Sequence, residues 1–196
     1  MRSILALSGL LLFVPPAHAA PPREDLEDAD ADVEVEEWTD TAPKPRGIVL
    51  FRSEMLDDHN MVRRDFGVPA LVWDAGLAAD AAAYARTLAV TDRFQHAVRV
   101  RGKPVQGENL WMGTRSAYAY RDMTGSWIEE GKNFRSGAFP DLSRTGSWHD
   151  VGHFTQIIWS GTRAVGCGVA ANAENEVLVC RYFPAGNVWG ENPLGR

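Results

Sequence analysis

The sequence predicts an α+β fold of the α-β-α sandwich type, a small antiparallel sheet flanked by helices, confined to residues 46–196. Three observations lead there. Apolar residues recur at helical spacing between residues 53 and 90, two alternating stretches near the C-terminus face each other across a polar run, and the composition changes abruptly near residue 45.

The first segment, 1–19, has Arg2, an apolar run from Ile4 to Val14, a Pro15-Pro16 break and Ala17-His18-Ala19. That is the pattern of a signal peptide cleaved after Ala19. The run is shorter than the roughly 20 residues a bilayer span needs, so the expectation is an exported chain, periplasmic or extracellular, without stable membrane insertion. Residues 20–45 hold ten acidic side chains, from Glu24 to Asp40, against Arg23 and Lys44. Like charge with few apolar groups leaves little to offset ordering entropy, which predicts a disordered acidic tether. From residue 42 onward, 18 of the chain's 20 basic and 16 of its 26 acidic residues remain, so the formal charge of −6 belongs to the tether. A near-neutral domain without a dense Lys/Arg cluster argues against nucleic-acid binding.

Met55, His59, Val62 and Phe66 form one stripe of a first helix over 53–66, closed by Gly67 and Pro69. Leu71-Val72-Trp73 is extended, Asp74 is placed as an N-cap, and Leu77, Ala81, Tyr84 and Leu88 are the inward face of an alanine-rich second helix. Thr91 to Arg115 reads as a long irregular passage. A third helix over about 116–134 turns Tyr120, Met123 and Trp127 inward, and 135–150 is a loop rich in Gly, Ser, Pro and Asp. Ala164–Ala170 and Glu176–Phe183 alternate and form a hairpin. If paired residues sum to 347, Cys167 lies opposite Cys180, within disulfide reach for directly opposed residues. An exported chain with one cysteine pair is expected to be oxidised.

The sequence has no HExxH, Gly-x-Ser-x-Gly or phosphate-cradling glycine loop. His96, Glu108, Glu130 and His153 are instead ionisable residues set in apolar or aromatic surroundings, where burial is costly without partners. His149, four before His153, is a rival ligand. Asn109 and Gln156 are expected to hydrogen-bond backbone or a bound molecule. Trp111, Trp127 and Trp159 are core residues or the walls of a cleft.

The segment GHFTQIIWSGTRAVGCGVA, Gly152 to Ala170, resembles the signature of the CAP superfamily of cysteine-rich secretory, antigen 5 and pathogenesis-related proteins. His59-Asn60, LVWD at 71–74, His96, GENL at 107–110, Trp127 to Glu130 and CRYFPAGNVWG at 180–190 follow in the family's order. The resemblance implies the α-β-α sandwich with a cleft lined by His96, Glu108, Glu130 and His153. It leaves two readings of that set open: a metal-capable cleft, with His96 and His153 as ligands of a divalent cation such as zinc or magnesium, and a purely structural cluster. The stretch between His96 and Gly107 is long for the family and carries Arg99, Arg101 and Lys103. Three functions stay open: a binding module for a sterol, lipid or other apolar molecule, with Phe134, Phe139, Pro140 and Trp148 as a candidate pocket; a metal-dependent hydrolase with Glu108 or Glu130 as base; and a secreted protein acting on an extracellular protein partner.

Overall fold

The computed structural model describes residues 44–102 and 104–195. The leader, 1–19, and all but the last two residues of the acidic segment lie outside the described residues.

Helix α1, Ile48–Asp65, begins five residues earlier than the stripe predicts, and buries Phe51, Met55, Asp58, His59, Val62 and Arg63. Strand β1 is only Val72–Trp73. Asp74 caps α2, Ala75–Thr91, by accepting a hydrogen bond from the Leu77 amide at 2.8 Å. Helix α3 is Tyr120–Glu129, shorter than predicted: the Ala119 amide donates to Asp122 Oδ2 at its start, and it tightens into a 3-10 turn over Glu130–Asn133. A short helix α4, Gly152–Ile157, precedes the hairpin of β3, Ala164–Ala171, and β4, Asn175–Phe183.

The passage expected to be irregular contains a strand, β2, Gly107–Thr114. The four strands form one sheet in the order β1-β3-β4-β2, with β2–β4 and β3–β4 antiparallel and β1–β3 parallel. The sheet is therefore mixed, where an antiparallel one was expected. The hairpin register is as predicted: Cys167 opposes Cys180 with Cα atoms 4.1 Å apart, and the two are disulfide-bonded.

Side-chain alternation divides the sheet into two faces. Leu110, Val177 and Val179 pack under α2 with Ala81, Ala85 and Leu88. Leu178, Cys180 and Tyr182 face a larger core built on α1, α3 and α4 with Met55, Met123, Trp127 and Ile157. That is the α-β-α sandwich. Helix α2 lies so close to β3 that a Cβ on Gly168 would overlap the backbone N and Cα of Ala82. On the other edge, the Trp127 indole donates to the Leu110 carbonyl at 3.1 Å, so α3 covers the outer border of β2.

Candidate functional site

Glu108 and Asn109 are neighbours on the edge strand β2, and their side chains leave on opposite faces. Glu108 Oε1 accepts from His96 Nδ1 at 2.6 Å and from the Ala97 amide at 3.0 Å, while Oε2 lies 2.8 Å from Arg181 Nη2. Arg181 stands opposite Glu108 on β4 and its guanidinium covers the Tyr84 ring. On the other face, the Asn109 amide donates to the His153 carbonyl at 3.1 Å. His153 Nδ1 donates to Glu130 Oε1 at 2.6 Å, and Glu130 Oε2 accepts from the His153 and Phe154 amides. The Trp127 ring stacks on His153. The four predicted residues thus form two His–Glu dyads that reach the start of β2 from its two faces, joined through Asn109.

In both dyads the Nδ1 proton is held by a carboxylate, which leaves Nε2 as the basic nitrogen. All four carboxylate oxygens already have a cationic or N–H partner. Among the described residues no three His, Cys, Asp or Glu side chains gather as a metal-binding group. Their common chemistry is that of two oriented imidazoles.

Gln156 is buried and braces loops: Oε1 accepts from the Gly186 amide at 2.9 Å and Nε2 donates to Thr162 Oγ1 at 3.3 Å. It fills the space a side chain on Gly107 would occupy, which accounts for the glycine that opens GENL. His149 is exposed, lies in a 3-10 turn that ends before α4 and stacks on Trp148, so the shared helix face with His153 does not exist. Trp127 and Trp159 are core residues, and Trp111 is half-buried against Tyr118. Phe134 and Phe139 are buried in the main core, with Trp148 packed against it.

Sequence reasoning missed a groove. It lies between the N-terminal turn of α1, the first half of α2 and the edge of β3, lined by Ile48, Phe51, Trp73, Ala78, Ala82 and Val169 among others, with a volume of about 550 Å³. Strand β1 covers β3 only at Ala164 and Val165. The short Cys167–Cys180 separation marks a pair without mutual hydrogen bonds, so the backbone groups of Cys167 and Val169 point away from β4, into this groove. Arg52, its guanidinium over the Trp73 ring, stands at the rim. Alanines and free strand backbone carry no motif, which is why the sequence did not announce the site.

A second buried constellation joins the core to the cleft. His59 Nδ1 donates to the Met55 carbonyl at 2.6 Å, and Nε2 accepts from the Tyr182 hydroxyl at 2.8 Å. Asn109, whose amide donates to the His153 carbonyl, acts on the Tyr182 hydroxyl by opposing the rise of its pKa. Burial lowers the His59 pKa to about 4 and pushes the Tyr182 phenol well above its ordinary value. Arg63, fully buried and without a carboxylate partner among the described residues, donates to the carbonyls of Pro69, Ile157, Trp159 and Thr162. Desolvation brings its pKa down to about 10.

Known proteins match this architecture. Pathogenesis-related protein 1B of Nicotiana tabacum is 33% identical over 143 residues, 72% of this chain and 80% of that protein. Secreted protein RBT4 of Candida albicans is 37% identical over 147 residues, 73% of this chain but 37% of that protein's length. The crystal structure of NaASP2 with Zn2+ superposes with a TM-score of 0.61 at 23% identity, covering 76% of this chain and 88% of that one. The family model described as cysteine-rich secretory protein family, CAP, matches residues 56–182. With both the signature segments and the sandwich in place, the chain belongs to the CAP, or cysteine-rich secretory protein, family.

Proposed function

We propose that this protein is an exported binding module for an apolar small molecule, and that its site is the groove between α1, α2 and the β3 edge. The observation that carries the reading is the groove's composition. Its volume falls in the roughly 300–1,000 Å³ range of small-molecule sites. Its walls are aromatic and aliphatic, with the Cys167 and Val169 backbone groups and Arg52 to orient a polar end. That suits a lipid with an anionic or hydroxyl head. Export is supported by the name of the relative, Secreted protein RBT4, and by the leader pattern in the sequence.

The test is saturable binding of a fluorescent fatty acid. Ala79 is an exposed groove residue on α2, so Ala79→Trp fills the space without entering the core. Expected is at least tenfold weaker binding by Ala79→Trp with an unchanged melting curve, and unchanged binding by the His96→Ala/His153→Ala double variant. Binding that survives Ala79→Trp and vanishes with the two histidines overturns the reading.

A second reading rests on the free Nε2 atoms. His96 and His153 are the residues that would hold a divalent cation, each oriented by its own glutamate, the arrangement common to metal-ligating histidines. The fit is to a loosely held ion, since the described residues offer two imidazoles and no third ligand group. A bound zinc or magnesium would supply Lewis acidity. Glu108 and Glu130, each engaged at both oxygens, orient the rings and are poorly placed as general bases, so a hydrolase is the weaker form of this reading. Zinc titration with a thermal-shift readout tests it: a shift lost in the double histidine variant supports the cation, and an equal shift in both proteins removes it.

A further inference from the structure

Between α2 and β2 the chain runs as a protruding segment whose two ends are tied down and whose middle is bare. Tyr84 Oη donates to the Gln95 carbonyl at 2.8 Å, the Ala97 amide donates to Glu108, and Gln106 Nε2 donates to Asp80 at 2.8 Å. Between these ties no described residue belongs to a helix or strand, and the chain turns at Arg101-Gly102.

Four apolar side chains on this segment face solvent: Val98 is 85% exposed, Val100 61%, Phe94 48% and Val105 46%. A soluble surface tolerates single exposed apolar residues, but four within twelve positions form a patch that asks for a partner. Arg93, Arg99 and Arg101 are interleaved with them, all exposed, and none makes an ion pair or hydrogen bond among the described residues. Elsewhere in the domain Arg46, Arg121 and Arg181 are ion-paired, with Glu176, Asp58 and Glu108. In this segment three unpaired guanidiniums stand within nine positions, among the bare apolar side chains.

We propose that segment 93–105 docks this protein on anionic phospholipid bilayers. Phe94, Val98, Val100 and Val105 enter the headgroup layer while Arg93, Arg99 and Arg101 bind lipid phosphates. Guanidinium and phosphate match in charge and in paired hydrogen-bond geometry. An acidic polypeptide would satisfy the arginines but would leave the valines in water, whereas a bilayer interface takes both kinds of side chain at once. The contact is peripheral: among the described residues no helix is long and apolar enough to cross a membrane. It is independent of the groove, since none of these residues lines it.

The experiment is co-sedimentation of the full chain with vesicles of phosphatidylcholine alone and of phosphatidylcholine and phosphatidylserine in equal parts. Expected is binding to the mixed vesicles only. At about a fivefold loss per guanidinium near an anionic surface, Arg99→Ala/Arg101→Ala weakens it roughly 25-fold and reduces its salt dependence, whereas Val98→Ser/Val100→Ser weakens it with the salt dependence of the wild type retained. All four positions are exposed, and an unchanged circular-dichroism melt verifies that the variants fold. Equal binding to both vesicle types, no binding to either, retention by the arginine pair variant, or capture by a poly-glutamate peptide in preference to the mixed vesicles overturns the proposal.

Discussion

His59 is a neutral imidazole sealed in the core, and its two hydrogen bonds fix both its tautomer and its protonation state. Its pKa is near 4 in the folded chain and about 6.5 when unfolded, so the unfolded state binds the extra proton between those values. The stabilisation is complete above pH 6.5 and is lost as pH falls towards 4, by about 3 kcal/mol from this residue alone. His59→Gln, which cannot titrate, is expected to be less stable at pH 7 yet to have a flatter stability profile between pH 6.5 and 4 in urea titrations. An unchanged slope would assign the acid sensitivity to other groups. Arg63 depends on shape more than on charge. Its fork reaches four backbone carbonyls, one at the last residue of α4 and two in the turn that follows it, and a lysine keeps the charge but not the fork. Arg63→Lys is expected to lower stability by about 3 kcal/mol, a few buried hydrogen bonds, measured by chemical denaturation at neutral pH.

At the scale of elements, the contact of α2 with β3 is set by small residues on both sides, alanines on the helix and Gly168 on the strand. Gly168→Ala forces the helix backbone away, an overpacking expected to cost about 2 kcal/mol and to lower the melting temperature by roughly 6 °C for a domain of this size. The elements differ in how far the sequence revealed them. The stripes of α1 and α2 and the register of the β3–β4 hairpin were legible because one face is buried and the other wet, which leaves a period in the sequence. Strand β2 was not, because Leu110 lies under α2 while Trp111, next to it, is half-buried on the other face. Both faces are partly covered and alternation is lost. Strand β1, two residues long, carries no sign of its pairing direction, so the parallel pair went unseen. In the cleft, the family resemblance pointed to His96, Glu108, Glu130 and His153, but not to which carboxylate holds which imidazole. The Arg181 partner of Glu108 was missed because residues 73 positions apart meet only through the sheet.

For the molecule as a whole, the disulfide is an aid to a core that already exists. It closes a short loop between adjacent strands, a sequence separation of 13, and in the chain-entropy account contributes about 3 kcal/mol. Cys167→Ala/Cys180→Ala is therefore expected to fold with its helices intact and to melt roughly 10 °C lower, while the unreduced wild type should titrate with no free thiols. Loss of folding in the double variant would show that the core around Met55, Met123 and Tyr182 is insufficient alone. The staples at the base of segment 93–105 also bear on how the molecule tolerates change. With the ends fixed by Tyr84, Asp80 and Glu108, the stretch between them has little to do with whether the domain folds, and doubling a loop's length costs only about 0.6 kcal/mol. That makes it a cassette, the place where related chains can diverge in length and chemistry at little thermodynamic expense, and where an experimenter can graft a peptide or a probe without disturbing the scaffold.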